Sequence, residues 1–140
     1  MYSTGGQHQP IRIGIVSDSS LLQLTLRSFL QDLEHEVVLF KPSDFRGKVG
    51  DSLTNVDVII MPQSVGKTTI REIAKKHPTI KMVILRDADG GGLSVKEALR
   101  YGVYAYLHQP IHLDELELIL ARLMPPDSNA SADYAFEAYT

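Results

Sequence analysis

The residues of this 140-residue chain that could do chemistry lie just after its apolar segments. The carboxylate of Asp18 follows the first of these segments, and the guanidinium of Arg86 and the carboxylate of Asp87 follow the fourth. If the segments are parallel strands, these groups meet in a crevice at the carboxyl edge of a sheet, where such sheets bind ligands. Two carboxylates are too few for a hard divalent cation, which takes about six or more oxygen ligands. We therefore expect no metal and no cofactor at this site.

The other recognisable motifs are fragments. Val65-Gly-Lys-Thr-Thr69 resembles the end of a phosphate-binding loop, but Met61 stands where the first glycine is required. Asp87-Ala-Asp-Gly-Gly-Gly92 resembles a calcium loop without its downstream glutamate. The chain has no cysteine and its five histidines are scattered, so no zinc site and no Ser-His-Asp arrangement can be assembled. We expect that the chain is not an enzyme and that Lys67 is a solvated loop charge.

The composition is that of one globular domain, with 44% hydrophobic and 22% charged residues. A net charge of −3 gives no electrostatic case for direct nucleic-acid binding. No apolar run approaches the roughly 20 residues of a membrane helix, and residues 1–10 lack the apolar region of a signal peptide, so we expect a cytoplasmic protein with no membrane contact. Residues 1–10 are predicted to be a flexible leader. Residues 125–140, rich in Pro, Ser, Asn and Asp, are predicted to be a tail or a linker toward an output domain outside this chain.

Residues 11–124 alternate strand and helix signals. Apolar runs predict strands at residues 11–16, 36–40, 57–61, 80–85 and 103–107, with helices between them and after the last. The weakest predicted helix covers residues 43–53, because Gly47 and Gly50 interrupt its pattern. Thr69-Ile-Arg-Glu72 and Ser94-Val-Lys-Glu97 have the capping-box pattern with which helices begin. The alternation predicts an α/β, flavodoxin-like (βα)5 doubly wound parallel sheet with strand order 2-1-3-4-5.

One segment carries a family resemblance. Ala105-Tyr-Leu-His-Gln-Pro-Ile-His-Leu-Asp-Glu-Leu116 resembles the fifth strand, Lys-Pro turn and final helix of response-regulator receiver (CheY-like) domains, and the order of elements extends the resemblance over residues 11–124. The resemblance implies that the third strand should end in a phosphoacceptor aspartate. That position falls here on Pro62, or on Met61 if the register slips by one. The family's acidic pair falls here on Ser17 and Asp18, which keeps only half of the pair. Its hydroxyl residue falls on Arg86, followed by Asp87, and its lysine falls on Gln109, so the pocket is degenerate.

The resemblance therefore implies a pseudo-receiver: an atypical, phosphorylation-independent receiver domain of a two-component-type signalling or transcriptional regulator. Such a domain would act through protein–protein interaction, with a partner protein or a second copy, on the face formed by the fourth helix, the fifth strand and the fifth helix. The candidate contact residues on that face are Lys96, Glu97, Arg100, Tyr104, Asp114, Glu117 and Arg122. Tyr106 takes the position of the family's switch aromatic, or it is an ordinary packed strand residue.

Two sets of alternatives stay open. In the emptied pocket Arg86 could pair with Asp18; otherwise Arg86 points into solvent and Asp18 only caps the first helix. In place of a pseudo-receiver, the chain could be a flavodoxin-like domain that binds a small anionic ligand with Arg86, Lys67 and the glycine-rich loop. It could also be a receiver that is phosphorylated at a displaced acceptor such as Asp87.

Overall fold

The computed structural model describes residues 11–45, 53–86, 94–108 and 110–123. The strands are β1 (Arg12–Val16), β2 (Glu36–Phe40), β3 (Val58–Pro62), β4 (Lys81–Arg86) and β5 (Val103–His108). The α-helices are α1 (Ser20–Asp32), α2 (Lys67–Lys76), α3 (Val95–Arg100) and α4 (Leu113–Leu123), and short 3-10 helices span Pro42–Phe45 and Gln63–Val65. The strands form one parallel sheet in the order β2-β1-β3-β4-β5, which confirms the predicted flavodoxin-like fold.

The apolar residues of the strands divide between the two faces of the sheet, because successive side chains of a strand point to opposite sides. Ile13, Ile15 and Ile60 pack with α1 and α4 on one face. Ile59 and Met61 pack with α2 and α3 on the other face. Both faces of the sheet are therefore covered, as is typical of parallel sheets with helical crossovers.

Of the two predicted capping boxes, one is confirmed and the other is wrong. The capping box at α3 is confirmed: the Glu97 backbone N–H donates to Ser94 Oγ at 3.1 Å, and the Ser94 backbone N–H donates to Glu97 Oε1 at 3.2 Å. The capping box at Thr69 and Glu72 is wrong, because α2 begins earlier, at Lys67, with Gly66 as a cap that has no side chain to accept a hydrogen bond. A φ of 95° at this cap favours glycine.

Some predictions fall on residues outside the described ranges. They are the leader (residues 1–10), most of the helix at residues 43–53, the glycine-rich loop after β4, and the tail (residues 125–140). The predicted fourth and fifth helices are α3 and α4 of the structure. We refer to the surface that they form with the edge strand as the α3–β5–α4 face. Among the described helices, none is long and apolar enough to cross a membrane.

Candidate functional site at the carboxyl edge of the sheet

The turn after β1 places Ser17 and Asp18 at the carboxyl edge in different environments. Ser17 is only 6% exposed; its backbone N–H donates to the carbonyl oxygen of Phe40 at 3.1 Å, and its Oγ accepts from the Ser19 backbone N–H at 2.9 Å. Asp18 is exposed. The cap of α1 is Ser19, whose Oγ accepts from the Leu22 N–H at 3.1 Å, so the predicted capping role of Asp18 is wrong. The buried hydroxyl of Ser17 thus holds the turn, and Asp18 presents one carboxylate to solvent.

Strand β3 ends with Pro62 at the carboxyl edge. Pro62 pairs with Leu85 of β4 and is half-buried, whereas the preceding Met61 is fully buried in the core on the α2–α3 side. Pro62 is therefore the residue of β3 that reaches the edge, between β1 and β4. The next residue, Gln63, is only 6% exposed and is a buried polar side chain that the sequence analysis did not single out. Its position directly after an apolar strand is the signal that could have identified it.

Arg86 is the last residue of β4 and is half-buried. Although Asp18 and Arg86 both belong to the described ranges, no ion pair joins them there, so the predicted pair does not form. Arg86 is not simply solvated either, because it interacts with other groups. Arg86 therefore fits neither alternative, since it is not paired with Asp18 and is half-buried and engaged at the end of β4. Asp87 and Gln109 lie outside the described residues.

Lys67 is the first residue of α2 and its ammonium group is engaged. Its Nζ donates to Glu97 Oε2 of α3 at 2.7 Å. The ion pair raises the pKa of Lys67 and lowers the pKa of Glu97, and the Ser94 N–H lowers the Glu97 pKa further. Lys67 is therefore exposed, as predicted, but it is the first residue of a helix and links that helix to α3, so it is not a loop charge. Glu97 therefore already neutralises the positive charge of Lys67 that an anionic ligand would need.

Tyr104, a predicted contact residue of the α3–β5–α4 face, is only partly exposed. The pairing of β4 with β5 shifts by one residue between Met82 and Val83, so that Val103 and Ala105 are paired and Tyr104 is the extra, bulged residue. The bulge turns Tyr104 toward the α1–α4 side, where it is half-buried against the core. Its hydroxyl oxygen is buried with no hydrogen-bond partner among the described residues. Burial raises the pKa of the Tyr104 hydroxyl, while the charge of Arg122 opposes this shift.

Tyr106 lies two residues farther along β5 and points to the opposite side of the sheet. It is 3% exposed, packs in the core below α2 and α3, and stacks on His108 with ring centroids 6.1 Å apart. The ring therefore occupies a buried position. A role for Tyr106 as a switch between buried and exposed positions stays a prediction.

The α3–β5–α4 face keeps most of its predicted charged residues at the surface. Lys96, Arg100, Asp114 and Glu117 are exposed, Arg122 is half-buried, and Glu97 is engaged by Lys67. The structure adds two leucines that the sequence analysis missed: Leu99 on α3 is 53% exposed and Leu118 on α4 is 44% exposed. Leu118 lies outside the apolar pattern of Leu116, Ile119 and Leu120, which is the signal that could have identified it.

The described residues contain no cluster of three or more histidine or acidic side chains that could hold a metal ion. The site therefore consists of one exposed carboxylate, one half-buried guanidinium, a proline, and the buried polar side chains of Ser17 and Gln63. In this set the hydroxyl of Ser17 is engaged in the turn after β1, whereas the carboxylate of Asp18 is exposed.

Comparisons with solved structures identify the fold. A response-regulator receiver domain protein from Clostridium thermocellum matches with a TM-score of 0.66 at 20% identity, over 81% of this chain and 94% of that one. The receiver domain of AraT, a response regulator from Geobacillus stearothermophilus, matches with a TM-score of 0.66 at 19% identity, over 83% of this chain and 94% of that one. NtrX from Brucella abortus, solved in complex with ADP, matches with a TM-score of 0.68 at 22% identity, over 83% of this chain but 26% of that one. No family model and no curated protein matches the sequence. The chain therefore has the receiver-domain fold.

Proposed function

We propose that this chain is an atypical receiver domain of a two-component-type signalling or transcriptional regulator, which acts in the cytoplasm by binding proteins and is not switched by phosphorylation. The observation that carries the proposal is the end of β3, where Pro62 is the last residue. A proline has no nucleophilic side-chain atom that could accept a phosphoryl group. Because one fold can host many functions, the likeness to receiver domains supports the proposal only together with these pocket residues.

The residues around Pro62 support the same conclusion. Ser17 stands where the resemblance expects a carboxylate, and its hydroxyl is already used to hold the turn after β1. Asp18 is then the one carboxylate that β1 supplies to this edge, which is a poor ligand set for Mg²⁺. Without the acceptor and without the metal, in-line phosphoryl transfer lacks both its nucleophile and its charge stabilisation.

The α3–β5–α4 face supports protein binding as the mode of action. β5 is an edge strand of the sheet, with α3 and α4 on its two sides. The α3 side is basic, with Lys96 and Arg100, and the α4 side is acidic, with Asp114 and Glu117. Each side also exposes one leucine. A face with opposite charges on its two halves is complementary to itself under two-fold rotation, so a second copy of the chain is one partner that it fits.

Treatment with a phosphodonor tests the proposal. Acetyl phosphate or beryllofluoride, each with Mg²⁺, should leave both the mass and the NMR spectrum of the protein unchanged, because Pro62 cannot react. A receiver domain with an intact acceptor aspartate, treated in parallel, is the positive control. A stoichiometric phospho-adduct, or beryllofluoride shifts clustered around Asp18, would overturn the proposal.

The same experiment separates the alternatives. If an adduct forms and is lost in Asp87→Asn, the chain is a receiver with a displaced acceptor. A saturable response of the Arg86 and Lys67 signals to inorganic phosphate, without any adduct, would instead favour a domain that binds a small anion. The ion pair of Lys67 with Glu97 disfavours the second outcome.

A further inference from the structure

The net negative charge of this chain comes from residues 125–140. All 14 Lys and Arg residues lie before residue 125, and so do 14 of the 17 Asp and Glu residues. The net charge of −3 therefore resides in Asp127, Asp133 and Glu137. The same segment contains Tyr134 and Phe136 close to two of these carboxylates. Residues 125–140 thus combine negative charge with aromatic side chains. This composition suits binding to a basic surface that also exposes an apolar side chain.

The outer surface of α2 and α3 is such a surface, and we call it the basic face. It contains the exposed cations Arg71 and Lys75 on α2 and Lys96 and Arg100 on α3, beside the exposed carboxylate of Glu72 on α2. Within each helix the two cations are four residues apart, so they lie one turn apart on the same side. In the part of the chain that the structure describes, none of the four forms an ion pair. They repel one another, and a negatively charged segment would relieve that repulsion.

The ion pair between Lys67 and Glu97 shows that the two halves of the basic face adjoin. Lys67, Arg71 and Lys75 recur every four residues and form one row along α2. Because Lys67 contacts Glu97 at 2.7 Å, this row lies on the side of α2 that is next to α3. The exposed side chain of Leu99 lies beside Lys96 and Arg100 on α3 and supplies the apolar spot.

The opposite layer of the domain has the opposite charge. On and beside α1 and α4 the acidic residues outnumber Arg27 and Arg122; the acidic residues are Asp32, Glu34, Asp114, Glu115 and Glu117. An acidic segment that leaves α4 is therefore repelled by the layer from which it starts and attracted by the layer across the sheet.

The chain is long enough to reach the basic face. The helices run antiparallel to the strands, as crossovers between parallel strands require, so α4 ends at Leu123 on the same edge of the sheet as Arg100 at the end of α3. The ten residues from Leu123 to Asp133 can span roughly 33 Å. The distance between the helix layers on the two sides of a sheet is about 20 Å, since each packed layer adds about 10 Å. The path passes only the edge strand β5.

We propose that residues 125–140 dock on the basic face of the same molecule. In this arrangement Asp133 and Glu137 neutralise the cations of α2 and α3, and the adjacent aromatic residues contact Leu99. Docking of the segment would cover Lys96 and Arg100, so it would compete with a partner at the α3–β5–α4 face. That consequence rests on the proposed function, but the docking itself does not.

A spin label in the full-length chain tests the docking. The chain has no cysteine, so Ala135→Cys provides a single site for a nitroxide label. The label should broaden the amide signals of Arg71, Lys75, Lys96 and Arg100 more than those of α1. The broadening should decrease at about 1 M salt, where the screening length is roughly 3 Å.

Charge variants of the labelled chain provide the matched comparisons. Neutralisation of the segment by Asp127→Asn, Asp133→Asn and Glu137→Gln should abolish the broadening on α2 and α3. Reversal of the surface by Arg71→Glu and Lys96→Glu should do the same, whereas Arg27→Glu on α1 should leave the broadening unchanged.

Two results would overturn the proposal. One is broadening confined to the vicinity of Leu123 or to α1 and α4. The other is broadening that arises only between a spin-labelled molecule and a separate isotope-labelled molecule, since that identifies a second copy as the occupant. Neither result affects the outcome with phosphodonors, so a failure of the docking is distinguishable from a failure of the proposed function.

Discussion

At the scale of single residues, Tyr104 is the most unusual side chain of the described core. Its ring packs on the α1–α4 side of the sheet, but its hydroxyl oxygen is buried without a hydrogen-bond partner among the described residues. A buried polar group without a partner loses its hydrogen bonds to water and gains nothing in return. The ring therefore stabilises the fold while the hydroxyl opposes it.

Substitution of Tyr104 separates these two contributions. Tyr104→Phe should leave the free energy of unfolding unchanged or raise it by up to about 1 kcal/mol, because it removes only the unsatisfied hydroxyl. Tyr104→Ala should lower it by about 1–3 kcal/mol, because it removes a half-buried ring. Urea denaturation measures both changes. A Phe variant that is clearly less stable than the wild type would show that the hydroxyl has a partner in solution.

The pH dependence of the unfolding free energy, compared between the wild type and Tyr104→Phe, is a second measurement. The pKa of Tyr104 is raised above its ordinary value of 10.0 in the folded state. Above pH 10 the unfolded chain therefore loses this proton first, and the stability of the wild type declines as the pH rises through the folded pKa. The Phe variant should lack this part of the decline.

At the scale of elements, the bulge in β5 determines the orientation of Tyr104. Strict alternation along residues 103–107 puts Tyr104 and Tyr106 on the same side of the sheet. The extra residue in β5 breaks the alternation, and the two rings point to opposite sides. Nothing in a single sequence marks a bulge when the strand contains neither glycine nor proline, so this orientation could not be foreseen.

The beginning of α3 depends on Ser94 and Glu97, which combine a capping box with the ion pair to Lys67. Ser94→Ala should cost about 0.5–2 kcal/mol, because it leaves a helix N–H without its side-chain acceptor. Ser28→Ala, at an exposed position inside α1, is the matched control and should have little effect. The denaturant midpoint measures both, and equal effects of the two variants would contradict a capping role.

The charge of Glu97 adds a pH dependence to this element. Lys67 and the Ser94 N–H lower the pKa of Glu97 below its ordinary value of 4.5. The resulting stabilisation is present above pH 4.5 and is lost as the pH falls through the lower folded pKa. Glu97→Gln should remove this acid-sensitive part of the stability curve while it preserves the acceptor oxygen for the Ser94 N–H.

At the scale of the whole molecule, the sequence predicts the architecture well and the site only in part. The five strands and their order follow from hydrophobic periodicity and from the alternation of elements, which depend on many residues at once. The environment of Lys67, by contrast, depends on a single contact between distant segments. The link of Lys67 to Glu97 spans 30 positions and has no local signal. Such contacts cannot be read from spacing.

The charge pattern of the α3–β5–α4 face leads to a prediction about self-association. The basic-half variant (Lys96→Glu with Arg100→Glu) and the acidic-half variant (Asp114→Lys with Glu117→Lys) should each weaken dimerisation at least about tenfold, or 1.4 kcal/mol, because like charges then face each other across the two-fold axis. A mixture of the two variants should restore association, because their altered halves attract. Sedimentation velocity measures all three samples.

A charge reversal outside the α3–β5–α4 face controls for general effects of charge. Arg27→Glu with Asp32→Lys, on α1, should leave dimerisation unchanged. If the wild type stays monomeric at high concentration, the face binds a different protein. If both half variants also bind that protein normally, the functional surface lies elsewhere.

The backbone N–H of Arg12 donates to Asp57 Oδ2 at 2.9 Å, across 45 positions of the sequence. This bond stands at the beginning of the pairing between β1 and β3, which joins strands that are not consecutive in the chain. During synthesis β1 and β2 can pair early, but the other side of β1 has no partner until β3 has left the ribosome. An apolar strand with an open edge is a template for association with other chains. One side of β1 therefore stays open until Val58 has emerged, and an open apolar edge of this kind favours association between nascent chains.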